Sequence, residues 1–218
     1  MKLKKYRFAL ILPFLMLGAC SDFLDVQPEG SVTDEQYFTN DQQAIDAITA
    51  LYIPIHWEET FGRDLFWEQG AACDIVWGRT RGYNTLATLA YTGDEGPLRW
   101  NFEAFYTIIS RSNWVVQKLL NKQQKVALTA IETRSLGEAY FMRGMGHFYM
   151  AYRYGTDKQG VPFVRYEDFP EGYDQSIPTQ QPSVIDNYKY IIDDMDQAIK
   201  YLPRFEAYGE EDRGRAHQ

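Results

Sequence analysis

The clearest structural signal in the sequence is a run of apolar residues at helical spacing within residues 183–203. These residues recur every three or four positions, as one face of an α-helix requires: Val184, Ile185, Tyr188, Ile191, Ile192, Met195, Ala198, Ile199 and Leu202. Ser183 is a good N-cap, with Asp186 three residues later as in a capping box, and Pro203 stops the helix. The opposite face is expected to be solvated and carries four charged residues: Asp193, Asp194, Asp196 and Lys200.

Three earlier segments have the same periodicity, and stretches rich in proline and glycine separate them. We expect helices over about residues 40–53, 98–121 and 125–154, with a shorter one over 64–73. The 125–154 helix contains small residues at which another helix backbone is expected to come close: Gly137, Ala139, Gly144, Gly146 and Ala151. Glycine inside a helix costs up to ~1 kcal/mol relative to alanine, so its use here needs such a reason. The sequence therefore predicts a mainly α fold of antiparallel helix pairs with long inserted loops.

The start of the chain has the layout of a bacterial lipoprotein signal peptide. Basic residues precede a mostly apolar run, and Leu17-Gly18-Ala19-Cys20 matches a lipobox, in which cleavage leaves an acylated cysteine at the new N-terminus. The apolar run is too short to span a bilayer, which takes about 20 residues. We expect residues 1–19 to be removed, Cys20 to carry lipid, residues 20–39 to form a tether and loop, and residues 40–218 to form the helical domain. The alternative is an ordinary signal peptide with a chance cysteine near its end.

Charge and cysteine content narrow the classes of partner. Removal of residues 1–19 leaves 18 basic and 30 acidic residues, a formal net charge of −12 instead of −8. An acidic chain is a poor partner for nucleic acid or for an anionic lipid surface, whereas acyl chains hold a protein at a membrane without charge. Once Cys20 is acylated, Cys73 is the one cysteine left, so no intrachain disulfide can form. We interpret Cys73 as a buried thiol.

No pattern in the sequence indicates catalysis, a metal site or another cofactor. The three histidines lack the spacing of metal ligands: His56, His147 and His217. His147 is expected to be a packed residue of the third helix, and a Cys73–His147 nucleophile pair is the weaker alternative. Serine-hydrolase, P-loop and dinucleotide-binding motifs are absent. The acidic pairs at 58–59 and 193–194 are interpreted as solvated surface, so we expect a protein that is not an enzyme.

Residues 74–97 interleave aromatic and polar side chains with glycines and show neither helical nor strand periodicity. Long ordered loops in compact domains are usually functional. A sugar ring needs flat aromatic faces for its C–H groups and polar side chains for its hydroxyls. The loop offers both within eight residues, and we predict that these side chains contact a ligand: Trp77, Arg79, Arg81, Tyr83 and Asn84. The alternative is that the aromatic residues anchor the loop to the core while the arginines pair with local acids.

The assembled features resemble the SusD/RagB family of outer-membrane nutrient-binding lipoproteins. The resemblance begins with the lipobox and residues 20–28 and is strongest over 138–144, 148–155 and 161–164. Further residues fit in order along the chain: Leu51, Tyr52, Tyr106, Ile109, Asn113, Asp194, Ala198, Leu202 and Pro203. In addition, Leu136-Gly137-Glu138-Ala139-Tyr140 matches the L-G-x-x-Y core of a tetratricopeptide repeat.

The resemblance implies a tetratricopeptide-like helical scaffold that is lipid-anchored on the outer face of the cell outer membrane. Such a protein captures oligosaccharides or other nutrients and passes them to a TonB-dependent SusC-type transporter, without catalysis or a cofactor. The resemblance places ligand contacts in variable loops that include residues 74–100, and so adds Trp100 to the predicted ligand residues. Family members are much longer, so we expect the chain to be a truncated, N-terminal portion.

Two alternatives to the nutrient-binding prediction remain open at this point. One is a structural lipoprotein whose helical surface recruits protein partners. The other is an exported hydrolase that uses the acidic residues within 58–74.

Overall fold

The computed structural model describes most of the chain after its first 36 residues. The described residues are 37–73, 77, 83–169, 172–174, 176 and 179–218. The chain divides into two units, Met1–Thr39 and Asn40–Gln218. The predicted signal peptide, the lipidated Cys20 and nearly all of the tether lie outside the described residues and stay predictions.

The second unit is built from α-helices, and the described residues contain no β-strand beyond isolated bridges. Its helices are α1 (Asp41–Tyr52), α2 (Asp64–Ala71), α3 (Tyr83–Ala87), α4 (Gly96–Gln123), α5 (Ala130–Tyr154) and α6 (Val184–Tyr201). Short turns of 3₁₀ or π helix lie between and after them: Ile53–His56, Glu58–Gly62, Tyr166–Asp168, Phe205–Ala207 and Glu210–Asp212. The prediction of a mainly α fold is confirmed.

The ends of α1 and α6 follow from local sequence. The Asn40 side chain accepts a hydrogen bond from the Gln43 backbone N–H, and α1 gives way to 3₁₀ helix just before Pro54. The Ser183 side chain accepts from the Asp186 N–H at the start of α6. The predicted Ser183 cap and the predicted start of the first helix near residue 40 are both confirmed, because a cap needs only residues within one turn.

The predicted start of α5 at residue 125 is wrong by five residues. Thr129 forms a capping box with Glu132: the Thr129 hydroxyl accepts from the Glu132 N–H, and the Glu132 carboxylate accepts from the Thr129 N–H. The Thr-x-x-Glu signature fixes the helix start more firmly than the apolar periodicity that precedes it. The other end agrees with the prediction: the helix ends at Tyr154, and Gly155 is its C-cap.

Helix α5 is the centre of the unit and packs against α6, α4 and α1. Its glycines lie where those neighbours come closest, as predicted. A Cβ atom added to Gly144 would lie 2.9 Å from Met195 Cε of α6, and one on Gly146 would lie 2.8 Å from Ile109 Cγ1 of α4. A side chain at either position would force its neighbour to move, more easily at the flexible end of Met195 than at Ile109, so the glycines permit the packing seen here.

A cluster of polar residues around Arg143, here called the Arg143 cluster, lies inside this core and corrects one prediction. Asp194 was predicted on the solvated face of α6, but its side chain is buried and accepts hydrogen bonds of 2.9 and 2.8 Å from Arg143. Arg143 also donates to both carboxylate oxygens of Glu167 and to Asn113 Oδ1. Although burial raises the pKa of Glu167, the bonds and charge of Arg143 outweigh it and lower that pKa. One fully buried guanidinium thus joins α4, α5, α6 and the Tyr166–Asp168 turn.

His147 is packed in the core one turn after Arg143, as predicted. Its Nδ1 lies 3.0 Å from the Arg143 carbonyl oxygen, and its ring stacks on Phe163 at a centroid distance of 3.8 Å. Cys73, by contrast, is exposed, so the prediction of a buried thiol is wrong. Helix α2 ends at Ala71, which leaves Cys73 on an open turn with its Sγ donating to the Gly70 carbonyl. An exposed Cys73 and a fully buried His147 do not form a nucleophile pair.

The burial of His147 predicts a pH-dependent stability. Burial, with the nearby Arg143 charge, lowers the pKa of His147 from 6.5 to about 3. The unfolded chain therefore binds one more proton than the folded chain between these values. The contribution of neutral His147 to the free energy of unfolding is fully present above pH 6.5. As the pH falls below that value, this contribution decreases by about 1.4 kcal/mol per pH unit. Urea denaturation at pH 6.5 and 5.0 measures the effect, and His147→Phe should remove about 2 kcal/mol of pH dependence. An equal dependence in both proteins would assign it to other groups.

Candidate ligand-binding cleft

The structure spreads the predicted ligand residues over different environments. Trp77 is 65% exposed and Asn84 is also exposed. Trp100 is half-buried, and its ring lies against Gly96 at the start of α4. Arg79 and Arg81 lie outside the described residues. Their roles as ligand residues stay predictions.

Tyr83 is buried and ties the aromatic segment to α2. Only 3% of it is exposed, and its hydroxyl donates to Asp64 Oδ1 at 2.5 Å. Burial, together with this hydrogen bond, raises the pKa of Tyr83 to about 12. The residue begins α3, a short helix within the segment predicted to be loop, and packs with Ala71 and Leu86. In this structure the Tyr83 ring offers no face to a ligand, and the residue holds α3 against α2.

Tyr83 packs against Leu86, and Leu86 lines a cavity of about 300 Å³. Helices α2 and α3, the start of α4 and the end of α5 surround it. Its lining residues are Glu68, Gln69, Ala72, Leu86, Tyr91, Leu98, Tyr152, Arg153 and Tyr154. We call it the tyrosine cleft. Its volume is at the lower end of the range for small-ligand sites, about 300–1,000 Å³.

A buried ion pair forms the polar part of the tyrosine cleft. The side chains of Glu68 and Arg153 are 3% and 9% exposed, and Arg153 Nη2 is paired with Glu68 Oε2. Within the described part of the chain, Glu68 Oε1 and Arg153 Nε have no hydrogen-bond partner. A buried polar atom without a partner costs about 1–3 kcal/mol. Both residues line the cleft, but these two atoms are themselves buried, so a polar ligand would pair with them only after the side chains around them move.

Tyrosines with different degrees of exposure complete the cleft. Tyr91 and Tyr152 are 47% and 59% exposed, whereas Leu86 is buried and Leu98 is half-buried. Tyr154 is fixed by its hydroxyl, which donates to the Leu98 carbonyl at 2.7 Å, and burial raises its pKa. Two open aromatic side chains above a buried donor and acceptor suit a ligand with apolar faces and a hydroxylated rim.

Sequence reasoning missed the residues of this cleft. None of the predicted ligand residues that the structure describes lines it, although Tyr91 belongs to the aromatic segment that was singled out. The available signal was Arg153, a charged residue between Tyr152 and Tyr154 in the last turn of a largely buried helix. Its partner Glu68 lies 85 residues earlier.

The described residues give no support to a metal site or a membrane span. No group of three or more histidine, cysteine or acidic side chains among them could hold a metal ion. None of the described helices is both long enough and apolar enough to cross a membrane.

The two curated relatives compared with this chain are both SusD-like proteins. The chain is 28% identical over 207 residues to a SusD-like protein of Bacteroides ovatus, covering 93% of this chain and 35% of the relative. It is 25% identical over 198 residues to SusD-like protein P38 of Formosa agariphila, covering 89% and 37% respectively. The chain thus spans about a third of the length of these curated relatives.

Solved structures share the fold at lower sequence identity. A SusD homolog from Bacteroides thetaiotaomicron superposes with a TM-score of 0.65 at 22% identity, covering 88% of this chain and 34% of that one. A laminarin-binding SusD-like protein gives 0.62 at 19% identity, covering 83% and 38%. The prediction of a tetratricopeptide-like helical scaffold is confirmed by this likeness.

A family model covers nearly all of the described chain. The SusD-like model, described as "Starch-binding associating with outer membrane", matches residues 22–209. This match includes all six helices, the Arg143 cluster and every residue that lines the tyrosine cleft. The chain therefore belongs to the SusD-like family.

Proposed function

We propose that this protein is a cell-surface lipoprotein that binds oligosaccharides in the tyrosine cleft and passes them to a TonB-dependent SusC-type transporter, without catalysis. The observation that carries the proposal is the Glu68–Arg153 pair, which has a buried, unpaired acceptor and donor and shares the lining of the cleft with the exposed Tyr91 and Tyr152. The starch-binding description of the family and the laminarin-binding structural relative support a glycan ligand.

The chemistry of the cleft fits a sugar ring. The C–H face of a pyranose packs on a tyrosine ring, while one hydroxyl donates to Glu68 Oε1 and a neighbouring hydroxyl accepts from Arg153 Nε. Hydrogen bonds to charged groups contribute about 1.5–3 kcal/mol each.

The aromatic contribution to this proposal is testable with a double variant. Tyr91→Ala with Tyr152→Ala is expected to weaken binding of starch or laminarin about tenfold or more, because half-exposed tyrosines contribute roughly 1 kcal/mol each through apolar contact. Retardation in native gels containing each polysaccharide measures the affinity. Both side chains are exposed, so the fold should be unaffected.

The matched control is Phe205→Ala, which removes an exposed aromatic side chain outside the cleft. Its retardation should equal that of the wild type. Unchanged retardation of the double variant would show that glycans bind elsewhere. Release of reducing ends by the purified protein would favour the hydrolase instead.

The anchoring part of the proposal depends on Cys20. Cys20→Ser is expected to release the protein from the membrane and to abolish growth on the bound glycan, while leaving retardation of the purified protein unchanged. Surface labelling, membrane fractionation and growth curves measure these effects. Full glycan uptake without acylation would contradict a role that requires position beside a transporter.

One observation favours the second candidate, a structural lipoprotein that recruits protein partners. Ile185, Ile192 and Ile199 are exposed and lie seven residues apart, so they line one face of α6. Regular apolar spacing of this kind suits contact with another helix. Partner binding that persists in the Tyr91/Tyr152 double variant, with no retardation of the wild type by any polysaccharide, would favour this candidate.

A further inference from the structure

Helix α6 has an apolar stripe, here called the isoleucine stripe, that the described part of the chain leaves open to solvent. It consists of Ile185, Ile192 and Ile199, which are 61%, 61% and 52% exposed. A helix turns by about 100° per residue, so residues seven apart lie within about 20° of one another around its axis. The buried residues of α6, among them Ile191 and Ala198, lie on a different side of the helix.

The stripe continues towards α5 and forms a larger exposed apolar patch. Tyr188, four residues before Ile192, is half-buried, and its ring centroid lies 6.3 Å from that of Phe148 on α5. Phe148 is itself 42% exposed. Large exposed apolar patches mark interaction sites, because contact with a partner removes the side chains from water.

Charged residues on one edge of the stripe indicate which partner fits it. Lys189 lies three residues before Ile192 and Asp196 four residues after it, about 4.5 and 6 Å away along the helix axis. Both are exposed on the same edge of the stripe. A two-fold axis at Ile192 would therefore bring Lys189 level with Asp196 of a second, antiparallel copy, to within about 1.5 Å along the axis. The same symmetry forms this pair twice and places Ile185 against Ile199 of the other copy.

The charges around the stripe are compatible with this antiparallel pairing. Lys189 donates to Asp186 of its own helix at 2.8 Å, but its side chain is 70% exposed, and exposed pairs of this kind contribute little. The nearby Asp193, which would repel a second acidic chain, is paired with Arg165 at 2.6 Å. A parallel pair would lack the match, because the charged edge would then face the Tyr188 edge of the other copy.

We propose that the isoleucine stripe is the contact face for a second copy of this chain, which docks in antiparallel orientation around Ile192. A two-fold interface requires a self-complementary surface, and here an apolar centre is flanked by two Lys189–Asp196 pairs. Charges at the edge of a helix–helix contact set its partner and orientation. None of these residues lines the tyrosine cleft, so the proposal is independent of the glycan site.

Cysteine cross-linking in whole cells that make the full chain tests the contact and its direction. In the Cys73→Ser background, which is the baseline, Ile192→Cys should form a disulfide-linked dimer on oxidation, because residue 192 lies beside its own copy. Lys200→Cys is the matched control and should form none: it is exposed on α6, but eight residues from the axis place it about 24 Å from its copy. No adduct at Ile192→Cys, or an adduct with a different protein, would overturn the proposal.

Charge reversal separates this pairing from non-specific apolar association. Lys189→Asp and Asp196→Lys should each weaken association about tenfold, because two attractions become two repulsions. An equal mixture of the two variants should restore it, since every charge pair between unlike chains is then attractive. Light scattering of the full chain purified in detergent measures association, and mixing would not rescue a folding defect. Wild-type association of either variant, or a mixture that associates no better than its components, would contradict the antiparallel contact.

Discussion

Arg143→Met is expected to lower the free energy of unfolding by about 3–5 kcal/mol. The substitution removes the cation that pairs with Glu167 and with Asp194, which is fully buried on α6 and keeps only Arg165 Nη2 at 3.6 Å. A loss of this size is a large part of the 5–15 kcal/mol typical of a folded domain. Urea denaturation of the full chain, followed by circular dichroism, measures it.

Two comparisons make the Arg143 experiment specific. Arg213→Met removes an exposed arginine and should change stability by no more than about 0.5 kcal/mol. Asp194→Leu in the Arg143→Met background should restore part of the loss, because it removes the buried carboxylate whose main cation was Arg143. If Arg143→Met were no more harmful than Arg213→Met, the Arg143 cluster would contribute little to stability.

The double variant Glu68→Gln with Arg153→Gln is expected to weaken glycan binding about 30-fold. In the proposed binding mode it replaces two charge-assisted hydrogen bonds to the ligand by neutral ones, at about 1 kcal/mol each, and it leaves neither partner of the pair buried as a lone charge. Isothermal calorimetry with starch or laminarin oligosaccharides measures the affinity, and circular dichroism checks the fold.

The matched control for this variant neutralises another ion pair without changing the net charge. Glu210→Gln with Arg213→Gln removes an exposed pair that does not line the tyrosine cleft, so affinity should be unchanged. An equal loss of affinity in both double variants would indicate a non-specific effect of charge. Wild-type affinity in the Glu68/Arg153 variant would show that the ion pair does not contact the ligand.

The sequence predicts helices well wherever the deciding residues are close together. Helix α6 begins within a residue of its predicted start because Ser183 and Asp186 determine that end locally. The buried position of Asp194 was missed because helical periodicity treats every acid as solvated. Its partner Arg143 lies 51 residues earlier, and only tertiary packing brings the two together.

The candidate site was less predictable for the same reason. Composition drew attention to residues 74–97, and Tyr91 of that segment does line the tyrosine cleft. The polar pair, however, joins Glu68 of α2 to Arg153 of α5, and no short motif contains both residues. Tyr83 was predicted to contact a ligand, but it is buried. An aromatic residue in a polar segment gives the same sequence pattern whether its side chain faces solvent or the core.

Helix α5 carries Arg143, His147 and Arg153 in succession along a single unbroken element. Ten residues of helix place Arg153 about 15 Å from the Arg143 cluster. The cation of the tyrosine cleft is therefore attached to a rigid support that is fixed deep in the core, instead of to a loop. In the proposed binding mode, Arg153 therefore has little conformational entropy left to lose, and this part of the site is preorganised. The affinity should reflect contacts already in place more than the cost of ordering the protein.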